Sequence, residues 1–209
     1  MHPSHRTEAL ESLPAVGLLA LLLLVALALP PAEASRGLAQ YLPLHTALEV
    51  LSITVSGLVF AIGWNSARHV RSLTVATLGC LYLGVALLDL GHTLSYQGMP
   101  VFITPSGPEK AINFWLAARS LAVLGLLLAA FSHWQRGSPP RRYPLLIGVL
   151  LLALLVYLVV LYRPELLPRT YVAGQGLTDF KRGYEYALIL LCGVAAARFL
   201  GALGAILAD

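Results

Sequence analysis

The chain has 209 residues, of which 58% are hydrophobic and 11% are charged, and its net charge is +4. Soluble domains carry about 25% charged residues, and several apolar runs here reach the roughly 20 residues that cross a bilayer. The composition therefore excludes an ordinary soluble domain and predicts an all-α integral membrane protein.

The N-terminal segment, residues 1–34, contains an almost wholly apolar run over Pro14–Pro31. This run fits a first transmembrane helix. A signal peptide is the alternative, because Ala32-Glu33-Ala34 has the small-x-small form of a cleavage site. Two glutamates before the run, and its length, favour a retained helix.

Five further apolar runs follow and complete a predicted bundle of six transmembrane helices, with residues 35–198 as its main body. These runs are Leu44–Trp64, Leu73–Ser95, Ala111–Trp134, Pro144–Tyr162 and Lys181–Leu200. Residues 199–209 stay apolar. We interpret them as an extension toward an output domain that this chain does not contain.

The loops predict the orientation of the bundle. Asn65–Ser72 and Gln135–Tyr143 are rich in arginine and contain no acidic residue, so the positive-inside rule places both in the cytoplasm. An even number of spans then leaves both termini cytoplasmic. The small positive charge in such loops indicates a lipid bilayer as the partner, and no nucleic acid.

Polar residues interrupt the second span at helical spacing. His45, Glu49, Ser52 and Ser56 are separated by four, three and four residues, so they form one stripe on an otherwise apolar helix. Ionisable side chains are costly in hydrocarbon. The stripe is therefore predicted to face the protein interior.

Three other spans carry ionisable groups at a similar depth. Asp89 and His92 lie three residues apart near the end of the third span, and each later pair lies one turn apart near the start of its span. These later pairs are Trp115 with Arg119 and Lys181 with Glu185. Successive spans cross the membrane in opposite directions. All these groups therefore fall within roughly 10 Å of one another along the membrane normal. The first and fifth spans lack such groups and are predicted to be peripheral, lipid-facing helices.

This layer of polar groups fits a divalent-metal site. His45, Glu49, Asp89 and His92 are the predicted metal ligands, with Glu185 as a further ligand-binding residue. Imidazole with carboxylate suits zinc, iron, copper or manganese. Trp115, Arg119 and Lys181 would bind an anionic ligand or balance the carboxylate charge.

Two alternatives to the metal site remain open. The first is a satisfied polar network in which Asp89 pairs with Arg119, Glu49 with His92, and Glu185 with Lys181. The second is an organic ligand, a quinone or a haem held by His45 and His92.

Motifs of common enzymes are missing from the sequence. It contains no HExxH, no GxSxG and no phosphate-binding loop. The chain is therefore predicted to be non-catalytic. A membrane-embedded metal-dependent hydrolase is the alternative, since a metal with an open position can activate water.

Four stretches resemble the membrane-associated sensor domain of the third type. They are Leu44-His45-Thr46-Ala47-Leu48-Glu49, the run Asp89–Met99, the run Phe114–Arg119, and Phe180-Lys181 with Glu185-Tyr186. The resemblance implies a sensory input bundle in the bacterial inner membrane. It also implies a cytoplasmic output such as a diguanylate cyclase, a phosphodiesterase or a histidine kinase, and thus cyclic-di-GMP or two-component signalling. The eight residues His45, Glu49, Asp89, His92, Trp115, Arg119, Lys181 and Glu185 are its characteristic positions.

Small residues repeat every four positions along the last span, at Gly193, Ala197, Gly201 and Ala205. Such a ladder allows two helices to approach closely. It predicts a homodimer that forms through this helix.

Overall fold

The structure is a computed structural model that describes residues 38–132 and 141–208, with isolated positions between 10 and 28. Within the two continuous ranges the chain forms five long helices, a 3₁₀ turn and a two-stranded hairpin. These elements are α1 (Leu38–Val70), α2 (Leu73–Ser95), α3 (Pro108–Phe131), α4 (Arg142–Tyr162), the turn Pro164–Leu166, β1 (Tyr171–Val172), β2 (Gly176–Leu177) and α5 (Asp179–Ala208).

The predicted all-α membrane fold is confirmed. All five helices are long and apolar enough to cross a membrane. The structure describes the predicted first span, Pro14–Pro31, only at isolated positions, and most of the connection between α3 and α4 lies outside the described residues. The count of six spans and the position of the termini therefore stay predictions.

A tight turn joins α1 to α2. Arg71 adopts a positive φ of 54°, and the Ser72 hydroxyl caps α2 by accepting a hydrogen bond from the Val75 amide at 3.4 Å. Below the turn the two helices cross closely, because a Cβ added to Gly63 would lie only 3.0 Å from the Gly79 Cα. Glycine at this crossing lets the backbones touch.

Helix α2 is the centre of the bundle. It packs against α1, α3 and α4, whereas α5 packs mainly against α3. The core lies between α2, α3 and α4, where side chains such as Leu88, Phe114 and Val160 are buried. Because α2 is surrounded, its polar side chains must find partners inside the protein.

The predicted peripheral fifth span, α4, exposes one side, where Leu151 and Leu155 are more than half exposed, and packs the other side into the core. Helix α4 contributes Val149, Val160 and Leu161 to the core, and the Tyr157 hydroxyl donates a 2.7 Å hydrogen bond to the Leu87 carbonyl of α2. Helix α5, which carries two of the predicted site residues, is the least buried of the five helices. Apolar composition all round does not tell a core helix from a lipid-facing one.

Helix boundaries agree best for α2, whose predicted and observed ranges are identical. Helix α1 begins at Leu38, six residues before the predicted start, and Pro43 lies inside it. Pro43 is the sixth residue of α1, so it removes one hydrogen bond of the helix and crowds the carbonyl of Ala39. The earlier start places Tyr41 on the same helix as His45 and Glu49.

The connection between α4 and α5 is ordered by a short antiparallel hairpin, in which Tyr171 pairs with Leu177 and Val172 with Gly176. The Thr170 side chain is buried and contacts Asn113 of α3, with 3.3 Å between Oγ1 and Oδ1. The hairpin thus connects the end of α4 to α3 and positions the start of α5.

Candidate functional site

Four helices place their ionisable residues at one end of the bundle. The start of α1, the end of α2 and the starts of α3 and α5 meet there. They bring together His45 and Glu49, Asp89 and His92, Trp115 and Arg119, and Lys181 and Glu185. The common depth of these eight residues, predicted from the lengths of the spans, agrees with this arrangement.

His45, Glu49 and His92 form one group, which we call the triad. The Glu49 Oε1 atom lies 3.8 Å from the His45 Nδ1 atom and 3.9 Å from the His92 Nε2 atom. One ligand atom from each of the three residues lies within 4.8 Å of the others. The distances between the histidine nitrogens and the carboxylate are too long for good hydrogen bonds.

The two histidines of the triad differ in their other ring nitrogen. The His92 Nδ1 atom lies 2.8 Å from the Ala111 carbonyl. A carbonyl can only accept, so Nδ1 carries a proton, and Nε2 is the nitrogen that faces Glu49. The His45 Nε2 atom is buried and has no hydrogen-bond partner among the described residues. The triad therefore contains potential metal-ligand atoms that make no strong hydrogen bond to the described residues.

Two tyrosines complete the surroundings of His45. The Tyr41 ring stacks on the imidazole with 5.5 Å between centroids, and the Tyr96 ring meets it edge-on at 4.1 Å. Tyr96 follows the last residue of α2, and burial, with Tyr41 beside it, raises the pKa of its phenol. Tyr96 therefore stays neutral near pH 7.

The sequence analysis did not place Tyr41 in the site, because the second span was predicted to begin only at Leu44. The signal was present: Tyr41, His45 and Glu49 are spaced by four residues and so share one face of a helix.

Asp89 and Arg119 form a separate buried pair. An Nη2 hydrogen of Arg119 is donated to the Oδ2 atom of Asp89, and the Asp89 side chain is fully buried. The Asp89 main-chain carbonyl also accepts a 2.8 Å hydrogen bond from the Thr93 hydroxyl. The pair is the interhelical contact that the alternative of a polar network predicted.

The structure corrects the predicted set of metal ligands. Asp89 does not join the group of His45, Glu49 and His92 that could hold an ion, because its carboxylate is bound to Arg119. Glu185 also lies outside that group, since its Oε1 atom pairs with the Lys181 Nζ atom at 2.7 Å. Three of the four predicted metal ligands are thus brought together, and the fourth is not.

Trp115 lies between two cations. The Arg119 guanidinium is 5.8 Å from the indole centre and the Lys181 ammonium is 5.6 Å from it. Both distances fit cation–π contacts. Trp115 therefore links the Asp89–Arg119 pair to the Lys181–Glu185 pair on α5.

A cavity of about 390 Å³ opens beside the triad. Its walls carry the triad, both tyrosines, Trp115, Lys181 and Glu185, with apolar side chains from α1 and α3. This volume suits a metal ion with water or a small molecule. A larger cavity of about 520 Å³ lies among the α3 start and residues 160–173 and contains none of the eight predicted residues.

Membrane-length helices around a polar pocket define a multi-pass membrane protein. The profile of MASE3, a membrane-associated sensor domain, matches residues 36–202. The chain therefore belongs to this family, as its sequence motifs predicted. No curated protein and no solved structure matches it. Family membership makes the chain a sensory input module of the inner membrane, and a sensor domain of this kind is not itself catalytic.

Proposed function

We propose that this sensor domain binds a divalent transition metal ion through His45, Glu49 and His92, and that α5 transmits the binding. The observation that carries the proposal is the triad geometry, with three potential ligand atoms within 4.8 Å of one another. The His45 nitrogen nearest to Glu49 is Nδ1, at 3.8 Å, and the other nitrogen of the ring, Nε2, is buried without a partner among the described residues, which is costly.

Two imidazoles and one carboxylate favour zinc, and they also suit iron, copper or manganese. The Ala111 carbonyl would accept a hydrogen bond from His92 Nδ1 and so leave Nε2 free to bind the ion. Histidine ligands of metal ions usually have such a partner on their other nitrogen. Three protein ligands leave a coordination position open toward the cavity. An ion here would therefore exchange with its surroundings, as a sensor requires.

The Lys181–Glu185 pair provides a route from the pocket to α5. Both residues line the cavity that contains the triad. A cation at the triad would repel the Lys181 ammonium and attract the Glu185 carboxylate, so it would favour a different arrangement of α5. We propose that α5 passes this change to a cytoplasmic output such as a diguanylate cyclase, a phosphodiesterase or a histidine kinase.

Metal binding is tested on the full chain in nanodiscs by equilibrium dialysis against Zn²⁺ followed by elemental analysis. We expect one zinc per chain, and at least about tenfold weaker binding after His45→Ala or His92→Ala. His69→Ala is the matched control, because His69 is exposed near the opposite end of α1. Equal zinc binding by all four proteins would disprove the metal site.

Transmission is tested by the fluorescence of Trp115 in a chain that carries Trp64→Phe and Trp134→Phe. Zinc should change the emission, because a cation displaces Lys181 from the indole. Glu185→Gln should leave zinc bound but reduce the change, since the attraction for α5 is lost. An unchanged response in that variant would remove Glu185 from the mechanism while leaving the metal site intact.

A metal-dependent hydrolase is the second candidate, because two histidines and one glutamate with an open position also occur in catalytic zinc sites. Turnover of an ester or a lipid by the zinc-loaded chain, lost after Glu49→Gln, would favour the hydrolase.

A haem held by both histidines fits poorly. The two rings contact each other edge to face at 5.4 Å, which leaves no space for a macrocycle between them.

A further inference from the structure

A second cavity of about 420 Å³ runs between α3 and α5. Trp115 and Glu185 line both this groove and the triad cavity. The remaining walls differ sharply from the triad cavity, because they combine two arginines, Arg119 and Arg182, with a strip of apolar side chains.

Arg182 is the available cation of the groove, because Arg119 is already paired with the Asp89 carboxylate. Arg182 is exposed, and its carboxylate partner Asp179 lies 3.5 Å away and is fully exposed, so the pair is weak. The Arg119 Nε atom is buried and has no partner among the described residues. The only acidic residue in the wall, Glu185, is neutralised by Lys181 at 2.7 Å.

The apolar strip has the length of one membrane leaflet. Arg182 lies near the start of α5, and the wall continues through Leu188 and Ile189 to Cys192. Ten residues of helix rise about 15 Å, which is half of a hydrocarbon core of about 30 Å. Ile189 is 66% exposed in the isolated chain, so the groove opens sideways to the lipid.

We propose that this groove binds an anionic phospholipid of the leaflet in which α5 begins. The phosphate group contacts Arg182, an ester oxygen accepts from Arg119, and one acyl chain lies along Val123, Leu188 and Ile189. Because α5 packs mainly against α3, a lipid between them stabilises the position of the helix that carries Glu185. The inference does not depend on the metal site.

The test uses the chain with Trp115 as its only tryptophan, after Trp64→Phe and Trp134→Phe. Bromine quenches indole on contact, so brominated phosphatidylglycerol is compared with brominated phosphatidylcholine at the same mole fraction in nanodiscs. We expect about a fivefold preference for the anionic lipid, as for one arginine near a headgroup. Arg182→Gln should make the two lipids equal.

Arg163→Gln is the matched control, because Arg163 is an exposed arginine that does not line the groove. It should keep the preference, and so should His92→Ala, whether or not the triad binds metal. Equal quenching by the two lipids in the parent chain would overturn the proposal. So would a preference that survives Arg182→Gln, or stronger quenching by a brominated fatty acid than by the phospholipid.

Discussion

The bundle contains two buried polar groups on neighbouring turns of α2, and they are built differently. Asp89 is fully buried in a direct contact with Arg119. His92, three residues later, faces Glu49 at 3.9 Å and leaves room beside it. The first group is a direct contact that leaves the Asp89 Oδ1 and Arg119 Nε atoms without partners among the described residues, whereas the second is loose and opens into a cavity.

This difference separates a structural role from a binding role. The contact of Arg119 with Asp89 joins α3 to α2 directly, although it uses only one of the two carboxylate oxygens. A carboxylate nearly 4 Å from two imidazoles has formed no strong contact, and its neighbours remain available. We therefore assign the Asp89–Arg119 contact to the packing of α2 against α3, and we propose the triad for ligand binding.

The largest effect is expected from Arg119→Leu, which leaves the Asp89 carboxylate buried without its partner. The free energy of unfolding should fall by about 3–5 kcal/mol. Denaturant unfolding in mixed micelles measures this loss. Adding Asp89→Asn to the variant should restore much of the stability, because the uncompensated charge is then gone.

Leu substitution at Arg163 provides the comparison for this experiment. Arg163 pairs with Glu165 at 3.6 Å, and both side chains are exposed. Such pairs contribute at most about 1 kcal/mol. If Arg119→Leu were as mild as Arg163→Leu, the Asp89–Arg119 pair would not be a structural contact.

Zinc should produce the next largest effect, and only through the triad. At a free concentration of 100 times its dissociation constant, a ligand of the folded state adds about 2.7 kcal/mol to the free energy of unfolding. We expect this gain in the parent chain, and about half of it or less after Glu49→Gln, because tenfold weaker binding leaves about 1.4 kcal/mol at the same zinc concentration. An undiminished gain in Glu49→Gln would place the ion elsewhere.

Acidification should weaken zinc binding, because protons compete with the metal for the imidazoles of His45 and His92. Between pH 7.5 and pH 5.5 we expect at least about a tenfold loss of affinity, equivalent to about 1.4 kcal/mol. Tyr96 does not contribute, since burial raises the pKa of its phenol. Zinc titrations at the two pH values measure the loss, and equal affinities would argue against histidine ligands.

The smallest effect on stability is expected from Lys181→Met. The Lys181–Glu185 pair lies within one turn of α5 and is partly exposed, so its loss should cost less than about 1 kcal/mol. Zinc should bind more tightly, because one cation of the cavity wall is removed. Destabilisation as large as that of Arg119→Leu would mean that this pair is structural too.

Much of this comparison could be read from the sequence, but not all of it. Helical spacing correctly placed His45 with Glu49. The apolar run Leu73–Ser95 gave the limits of α2. The choice of partner for Asp89 was left open, because a carboxylate near both a histidine and an arginine pairs according to the rotation of the helices about their axes. The spacing of residues along one helix carries no information about how that helix is rotated relative to its neighbours.

Two features of the helices could not be predicted locally. The face of α4 that packs was not identified because its residues are apolar on every side, so no periodicity marks that face. The start of α1 was missed because the second span was predicted to begin only at Leu44, after Pro43. In both cases contacts with other helices, which local sequence does not show, decide the outcome.

Helix α5 has 30 residues, and at 1.5 Å per residue it is about 45 Å long. A hydrocarbon layer of about 30 Å cannot contain such a rod upright. Under the proposed mechanism, α5 would act as a lever whose pivot lies near Glu185, where it packs against α3. A swing of about 5° there would move the far end of the helix, about 35 Å away, by about 3 Å.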